Sequence, residues 1–193
     1  GGQDYLDHPA SCGRPVTIVE VRIVDENDTP LPVGERGEVQ IRGASMFEGY
    51  WQRPDANAEV FTEDFWMHTG DVGFLDDENY LYIVDRIKDL VIRGGENIGC
   101  AEVEAAILEH DAVIEASVYG IPDERLGEEV GATIYCGDSV LTEEALRDFM
   151  VAHVARFKVP RYLSFSSEPL PRIASGKIDK KAIRALAQKT HSQ

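Results

Sequence analysis

Positive charge is in short supply in this 193-residue chain. Lys and Arg number 19 against 35 Asp and Glu, a formal net charge of −16. Nucleic acid and anionic membrane repel such a surface, so neither is expected as the main partner. No apolar run approaches the roughly 18 residues that a membrane-spanning helix needs, and no charged-then-apolar segment opens the sequence. Cysteine is sparse as well. Cys12, Cys100 and Cys136 are scattered without a Cys-x-x-Cys pair, which fits reduced thiols and gives the cytoplasm as the expected compartment. The five histidines show no His-x-x-x-His or His-x-x-Glu spacing, so no metal site is expected. Gly1-Gly2-Gln3-Asp4 reads as an interrupted loop without a starting Met, the pattern expected of a fragment.

What is present suffices for a folded core: 43% of residues are hydrophobic and 8% aromatic. Residues 16–25 (VTIVEVRIVD) alternate apolar and polar with many β-branched side chains, a strand signal, and residues 38–42 (EVQIR) repeat it. Residues 72–75 and 80–84 form a predicted hairpin around Asp76-Asp77-Glu78-Asn79, and residues 54–59 a short helix. After Asp85 the texture changes. A strand at 90–92, a Gly94-Gly95 turn and an amphipathic helix over 101–110 are predicted, with Val103, Ile107 and Leu108 on its apolar side. Strands at 113–119 and 130–136 follow. Thr142 then caps a helix whose apolar positions are Leu146, Phe149, Met150, His153 and Val154. A strand at 162–165 and a basic helix over 180–188 complete the pattern. The expected fold is therefore α+β: a small antiparallel β-barrel-like subdomain or curled sheet (1–85), then a compact α+β C-terminal domain (86–193). The boundary is expected at 84–88.

Charge is unevenly spread. Residues 156–189 hold nine basic side chains against only Glu168 and Asp179. Such a run fits either a solvated helix face or a surface that meets a polyphosphate.

Four segments carry candidate chemistry. In Trp66-Met67-His68-Thr69-Gly70-Asp71, one carboxylate lies at a strand end, where it can accept hydrogen bonds from two hydroxyls such as a ribose cis-diol; taken alone, a plain turn residue is the favoured reading. Asp85-Arg86-Ile87-Lys88-Asp89 leads through Leu90-Val91-Ile92-Arg93 into Gly94-Gly95-Glu96-Asn97-Ile98. That glycine pair permits positive φ and close passage of a thin ligand, or simply turns a hairpin. Phe157-Lys158-Val159-Pro160-Arg161 is a short basic-aromatic clip. In Leu170-Pro171-Arg172-Ile173-Ala174-Ser175-Gly176-Lys177 a lysine follows a Ser-Gly turn, a compact charge suited to a developing oxyanion or phosphate. The Walker A frame is absent.

In this order the segments resemble the C-terminal third of the adenylate-forming enzymes: acyl-CoA synthetases, peptide-synthetase adenylation domains and firefly luciferase. The likeness extends upstream through Cys12-Gly13-Arg14-Pro15, Leu31-Pro32-x-Gly34-Glu35-x-Gly37-Glu38 and Gly49-Tyr50-Trp51. Gly94-Gly95-Glu96-Asn97-Ile98 is similar to the acyl- and aryl-CoA ligase form. The resemblance implies that a carboxylic acid and ATP give an acyl-adenylate and pyrophosphate, and that coenzyme A then displaces AMP. It assigns Asp71 and Arg86 to the nucleotide, Lys177 to adenylation, Lys88 to a hinge of a mobile lid, and Gly94, Gly95, Glu96, Phe157, Lys158 and Arg161 to coenzyme A.

Family segments are missing too. The Ser/Thr/Gly-rich phosphate loop ending Pro-Lys-Gly, the Tyr-Gly-x-Thr-Glu segment whose glutamate helps hold Mg²⁺, and the acyl pocket all lie outside this sequence. Mg²⁺ is thus implied for a complete enzyme, without ligands here. The implied partners are a small carboxylic acid, ATP, coenzyme A and a missing N-terminal part of the same chain, and the fragment alone is expected to be inactive. The alternatives are an adenylation domain serving a carrier protein and a non-enzymatic module that binds nucleotide or coenzyme A.

Overall fold

The computed structural model describes residues 6–191; the loop expected at residues 1–4 lies outside them. Packing divides the chain into two compact units, Gly1–Lys88 and Asp89–Gln193. Among the described residues no helix is long and apolar enough to cross a membrane.

The first unit contains β1 (Val19–Val24), β2 (Gly37–Gly43), α1 (Pro54–Val60), β3 (Met67–Leu75) and β4 (Leu81–Arg86). The strands form one antiparallel sheet in the order β1-β2-β3-β4. The expected barrel-like form is therefore an open sheet, with β1 and β4 unpaired to each other among the described residues. Four short strands are too few to wrap an interior, for which closed barrels use more. Strand β3 starts five residues before the predicted hairpin, because Met67 and His68 pair with Ile41 and Gln40. Gly70 (φ +69°) then supplies the irregularity that the regular alternation hid. Ile23, Val24, Val39, Trp66 and Tyr80 are buried, and the guanidinium groups of Arg22 and Arg42 lie 4.3 and 4.5 Å from the Trp66 ring centre. Gly37 is required by space: a Cβ there would stand 2.2 Å from the Val24 carbonyl oxygen.

The second unit contains β5 (Leu90–Arg93), β6 (Glu96–Gly99), α2 (Cys100–Leu108), β7 (Glu115–Asp123), β8 (Gly127–Tyr135), α3 (Glu143–His153), β9 (Tyr162–Ser166) and α4 (Lys180–His191). Its sheet runs β6-β5-β8-β7, and β9 lies parallel to β8. A parallel neighbour needs a crossover, which α3 supplies. Period-two alternation along β7 sends Ala116 and Val118 to a core shared with Val103, Ile107, Leu146 and Met150 of α2 and α3. Tyr119 and Ile121 go to the opposite face, against Leu170 and the α4 residues Ile183 and Ala187. Both faces of the sheet are thus covered. Thr142 caps α3 as expected, its Oγ1 accepting from Ala145 N at 3.2 Å. In α2 the buried stripe is Cys100, Val103, Ala106 and Ile107, whereas Leu108 is 47% exposed. The expected placement of Leu108 in the core fails because it sits about 100° around the helix from Ile107, outside that stripe.

Candidate functional site

In the first unit Asp71 and Arg86 face each other across β3 and β4. Arg86 Nε lies 3.2 Å from Asp71 Oδ1, with Asp71 30% and Arg86 58% exposed. Arg86 is an ion-pair neighbour, and the Asp71 carboxylate accepts no hydrogen bond among the described residues. The backbone that carries Asp71 is fixed locally. Thr69 Oγ1 donates to the Val39 carbonyl at 2.7 Å and accepts from Asp71 N at 3.1 Å. Glu38 does the rest: Oε1 accepts from Gly70 N at 3.1 Å, and Oε2 lies 2.8 Å from His68 Nδ1. A carboxylate on β2 therefore holds the His68-Thr69-Gly70-Asp71 stretch from the neighbouring strand. Sequence spacing hid that role, since Glu38 and His68 are thirty positions apart.

The same network gathers Asp28, Glu38 and His68, whose ligand-type atoms all lie within 4.8 Å of one another. Fully buried Gln40 joins them, donating to Asp28 Oδ1 at 2.6 Å and accepting from Arg22 Nε at 2.8 Å. An imidazole among the donors does not suit Mg²⁺, which takes oxygen ligands in octahedral geometry. The group serves as a hydrogen-bonded brace.

In the second unit, Gly94 (φ +59°) and Gly95 (φ +90°) form the two-residue turn between β5 and β6, with Arg93 opposite Glu96. Positive φ at both positions is what a twisted two-residue hairpin needs. Gly94 N donates to the Leu126 carbonyl at 2.7 Å, which ties the hairpin tip to the β7–β8 turn.

Beside this hairpin lies a cavity of about 430 Å³ lined by five arginines, Arg93, Arg125, Arg147, Arg156 and Arg161, together with Glu129. Glu129 is 2% exposed and forms a fork with Arg93, Nε to Oε2 at 2.7 Å and Nη2 to Oε1 at 3.0 Å. Arg161 Nη1 approaches it at 3.4 Å. Burial pushes the Glu129 carboxyl up, but the Arg93 hydrogen bonds and charge, helped by Arg161, outweigh it and hold it below the ordinary carboxylate value. The buried anion holds Arg93 and meets Arg161, while Arg147 donates to Glu143 and to the Pro160 and Arg161 carbonyls. The arginines outnumber the one lining carboxylate, which gives a surface suited to phosphate oxygens. Of the expected clip, Arg161 joins this cavity and Phe157 is partly exposed. Lys158 turns to Glu102 instead, at 2.5 Å. Of the five arginines only Arg161 was assigned to a ligand in the sequence, because the others reach the cavity from separate elements.

Lys177 is exposed, and its ammonium has no hydrogen bond or ion pair among the described residues. Lys180, three positions on, is the contrast. Burial lowers its pKa, yet its hydrogen bond to Glu104 at 2.8 Å and that carboxylate's charge raise it above the usual lysine value. Lys180 is a structural cation; Lys177 is an available one. Lys88 is likewise exposed, in the 3₁₀ turn Ile87–Asp89.

Comparison with known proteins gives two family matches. Residues 2–51 match the AMP-binding enzyme model and residues 102–177 the AMP-binding enzyme C-terminal domain model. A long-chain-fatty-acid–CoA ligase of Salmonella typhimurium is 38% identical over 181 residues, covering 94% of this chain and 32% of the relative. A crotonobetaine/carnitine–CoA ligase of Salmonella arizonae is 41% identical over 178 residues, 90% of this chain and 34% of the relative. Among solved structures, o-succinylbenzoate CoA synthetase from Bacillus subtilis in complex with its acyl-adenylate intermediate superposes with a TM-score of 0.85 at 33% identity, covering 94% of this chain and 37% of that one. The chain spans about a third of the length of the curated relatives it matches.

Proposed function

The chain belongs to the AMP-binding, adenylate-forming enzyme family, and from that premise we propose that it is the C-terminal third of an AMP-forming acyl-CoA synthetase. The observation that carries the reading is a free, exposed Lys177 in a unit that also presents an arginine-lined cavity beside a Gly-Gly hairpin.

In the first half-reaction a carboxylate oxygen attacks the α-phosphorus of ATP and the bond to pyrophosphate breaks. Both reactants are anions. The Lys177 ammonium between them offsets their repulsion and stabilises the charge that builds up in the transition state. Asp71 accepts hydrogen bonds from the ribose hydroxyls on its partly exposed carboxylate. In the second half-reaction the thiol sulfur of coenzyme A attacks the acyl carbon, the carbon–oxygen bond to AMP breaks, and the thiol proton is released. The Gly94-Gly95 hairpin then lies against the pantetheine arm, and Arg161 with its neighbouring arginines meets the coenzyme A phosphates. Lys88 is the hinge that moves Lys177 away and brings the hairpin in, a change that a few dihedrals can absorb. Mg²⁺, expected for a complete enzyme, would be held by residues outside these 193 and would help neutralise the phosphate charge.

The curated relatives take a long-chain fatty acid in one case and crotonobetaine or carnitine in another, so the family does not fix the acyl group. The test uses the complete ligase with a panel of carboxylic acids, following pyrophosphate release and thioester formation. Thioester made on free coenzyme A supports the reading. Transfer only to a phosphopantetheinyl carrier protein favours the adenylation-domain alternative, and no acid-dependent pyrophosphate release favours a binding module. The isolated chain should release no pyrophosphate; robust turnover by it would overturn the fragment reading.

A further inference from the structure

The segment that carries Lys177 has almost no apolar burial of its own. Leu170 is 3% exposed and packs among Tyr119, Ile121 and Ile183, but residues 171–177 are all exposed. Such a loop opens easily unless polar contacts fix it. Here they do. Residues 171–179 form a small hairpin: Ile173 N donates to the Lys177 carbonyl at 2.9 Å, Gly176 N to the Ile173 carbonyl at 2.9 Å, and Asp179 N to the Pro171 carbonyl at 2.7 Å. Gly176 makes the tight turn with φ +84°.

A single carboxylate fastens this hairpin to the sheet. Glu115, the first residue of β7 and 13% exposed, accepts the Leu170 amide on Oε2 at 2.7 Å and the Arg172 guanidinium on Oε1. The other amino group of Arg172 donates to the Gly176 carbonyl at 2.7 Å. One planar guanidinium therefore spans from the sheet to the peptide unit immediately before Lys177. A fork with donors aimed in two directions suits that task, and a lysine's point charge does not.

We propose that Glu115 and Arg172 are positioning residues: together they hold the stem of Lys177 in one place, so that its ammonium reaches the reacting anions during adenylation. The proposal rests on the role given to Lys177 above. Lysine has a long flexible side chain, so an unfixed stem multiplies the volume its charge must search. Displacements of about 1 Å can cost on the order of 100-fold in rate.

The test compares Arg172→Ala, Arg172→Lys, Glu115→Gln and Lys177→Ala in the complete ligase, assaying adenylation and thioester formation from supplied acyl-adenylate separately. Arg172→Ala should lower the adenylation kcat by about 30- to 100-fold with the KM for the acid little changed. Arg172→Lys should restore only part of that loss, Glu115→Gln should fall between, and thioester formation should stay near wild type. Amide exchange at Ile173 and Gly176 should speed up in Arg172→Ala. Wild-type adenylation by Arg172→Ala, in a protein where Lys177→Ala lowers it strongly, overturns the clamp alone. Parallel loss of both half-reactions also overturns it, marking a purely structural role. Full adenylation by Lys177→Ala overturns the underlying role of Lys177 and this proposal with it.

Discussion

Replacing Glu129 by Gln removes the one buried anion of the arginine cavity while keeping its shape. The carboxylate accepts two bonds from Arg93, at 2.7 and 3.0 Å, and one long contact from Arg161 at 3.4 Å. Hydrogen bonds to a charged group contribute about 1.5–3 kcal/mol net, and Arg93 is only 26% exposed. Arg161 is 56% exposed, so solvent screens its share to nearly nothing. The amide of Gln keeps one acceptor but turns its NH₂ toward a guanidinium. The expected loss is about 2–3 kcal/mol at pH 7, a large part of the stability of a domain this size. With a urea dependence of about 1–3 kcal/mol per molar, the unfolding midpoint should drop by about 0.7–3 M. The sign of the pH dependence follows from the direction of the Glu129 shift. Its folded pKa lies below the unfolded value, so its stabilisation is complete above the unfolded value and fades as pH falls through the folded one. The gap between wild type and Glu129→Gln should therefore narrow below about pH 4.3. Urea unfolding followed by far-UV circular dichroism measures both effects, and hydrogen exchange of β5 and β8 amides locates them. A midpoint unchanged at pH 7, or a gap that persists in acid, would refute the reasoning.

Two further substitutions probe other links. Gly37→Ala should destabilise the β1–β2 pair by at least about 1–3 kcal/mol, because the obstacle is the Val24 backbone carbonyl and backbone cannot step aside as a flexible side chain does; thermal unfolding checks this. Lys88→Pro stiffens the 3₁₀ turn at Ile87–Asp89 and, in the complete ligase, should impair one half-reaction while sparing the other; separate single-turnover assays check it, and two normal half-reactions would remove the hinge.

Alternation and turn residues made most strands legible in the sequence, as Val19–Val24 and the hairpin around Asp76-Asp77-Glu78-Asn79 illustrate. Strand β6 escaped because four residues after a glycine pair carry too short a pattern to register a period. Leu108 misled because a hydrophobic residue at a helix end satisfies the count without satisfying the angle. Of the site, single residues were visible and their partners were not. Lys177 stood out beside Ser175 and Gly176, whereas its anchor Glu115 lies at the far end of β7. Glu129 and Arg93 are likewise 36 positions apart, joined only when β5 and β8 come side by side. Local pattern records how the backbone runs; long-range ion pairs depend on which strands become neighbours.

The proposed mechanism requires Lys177 to serve one half-reaction and to be absent from the other. Its most direct measurement is the pair of half-reaction rates in Lys177→Ala of the complete ligase. Adenylation, followed by acid-dependent pyrophosphate release, should fall on the order of 10²–10³-fold or more. Thioester formation from supplied acyl-adenylate should continue at the wild-type rate. Equal loss of both rates, or retention of both, would contradict the assignment.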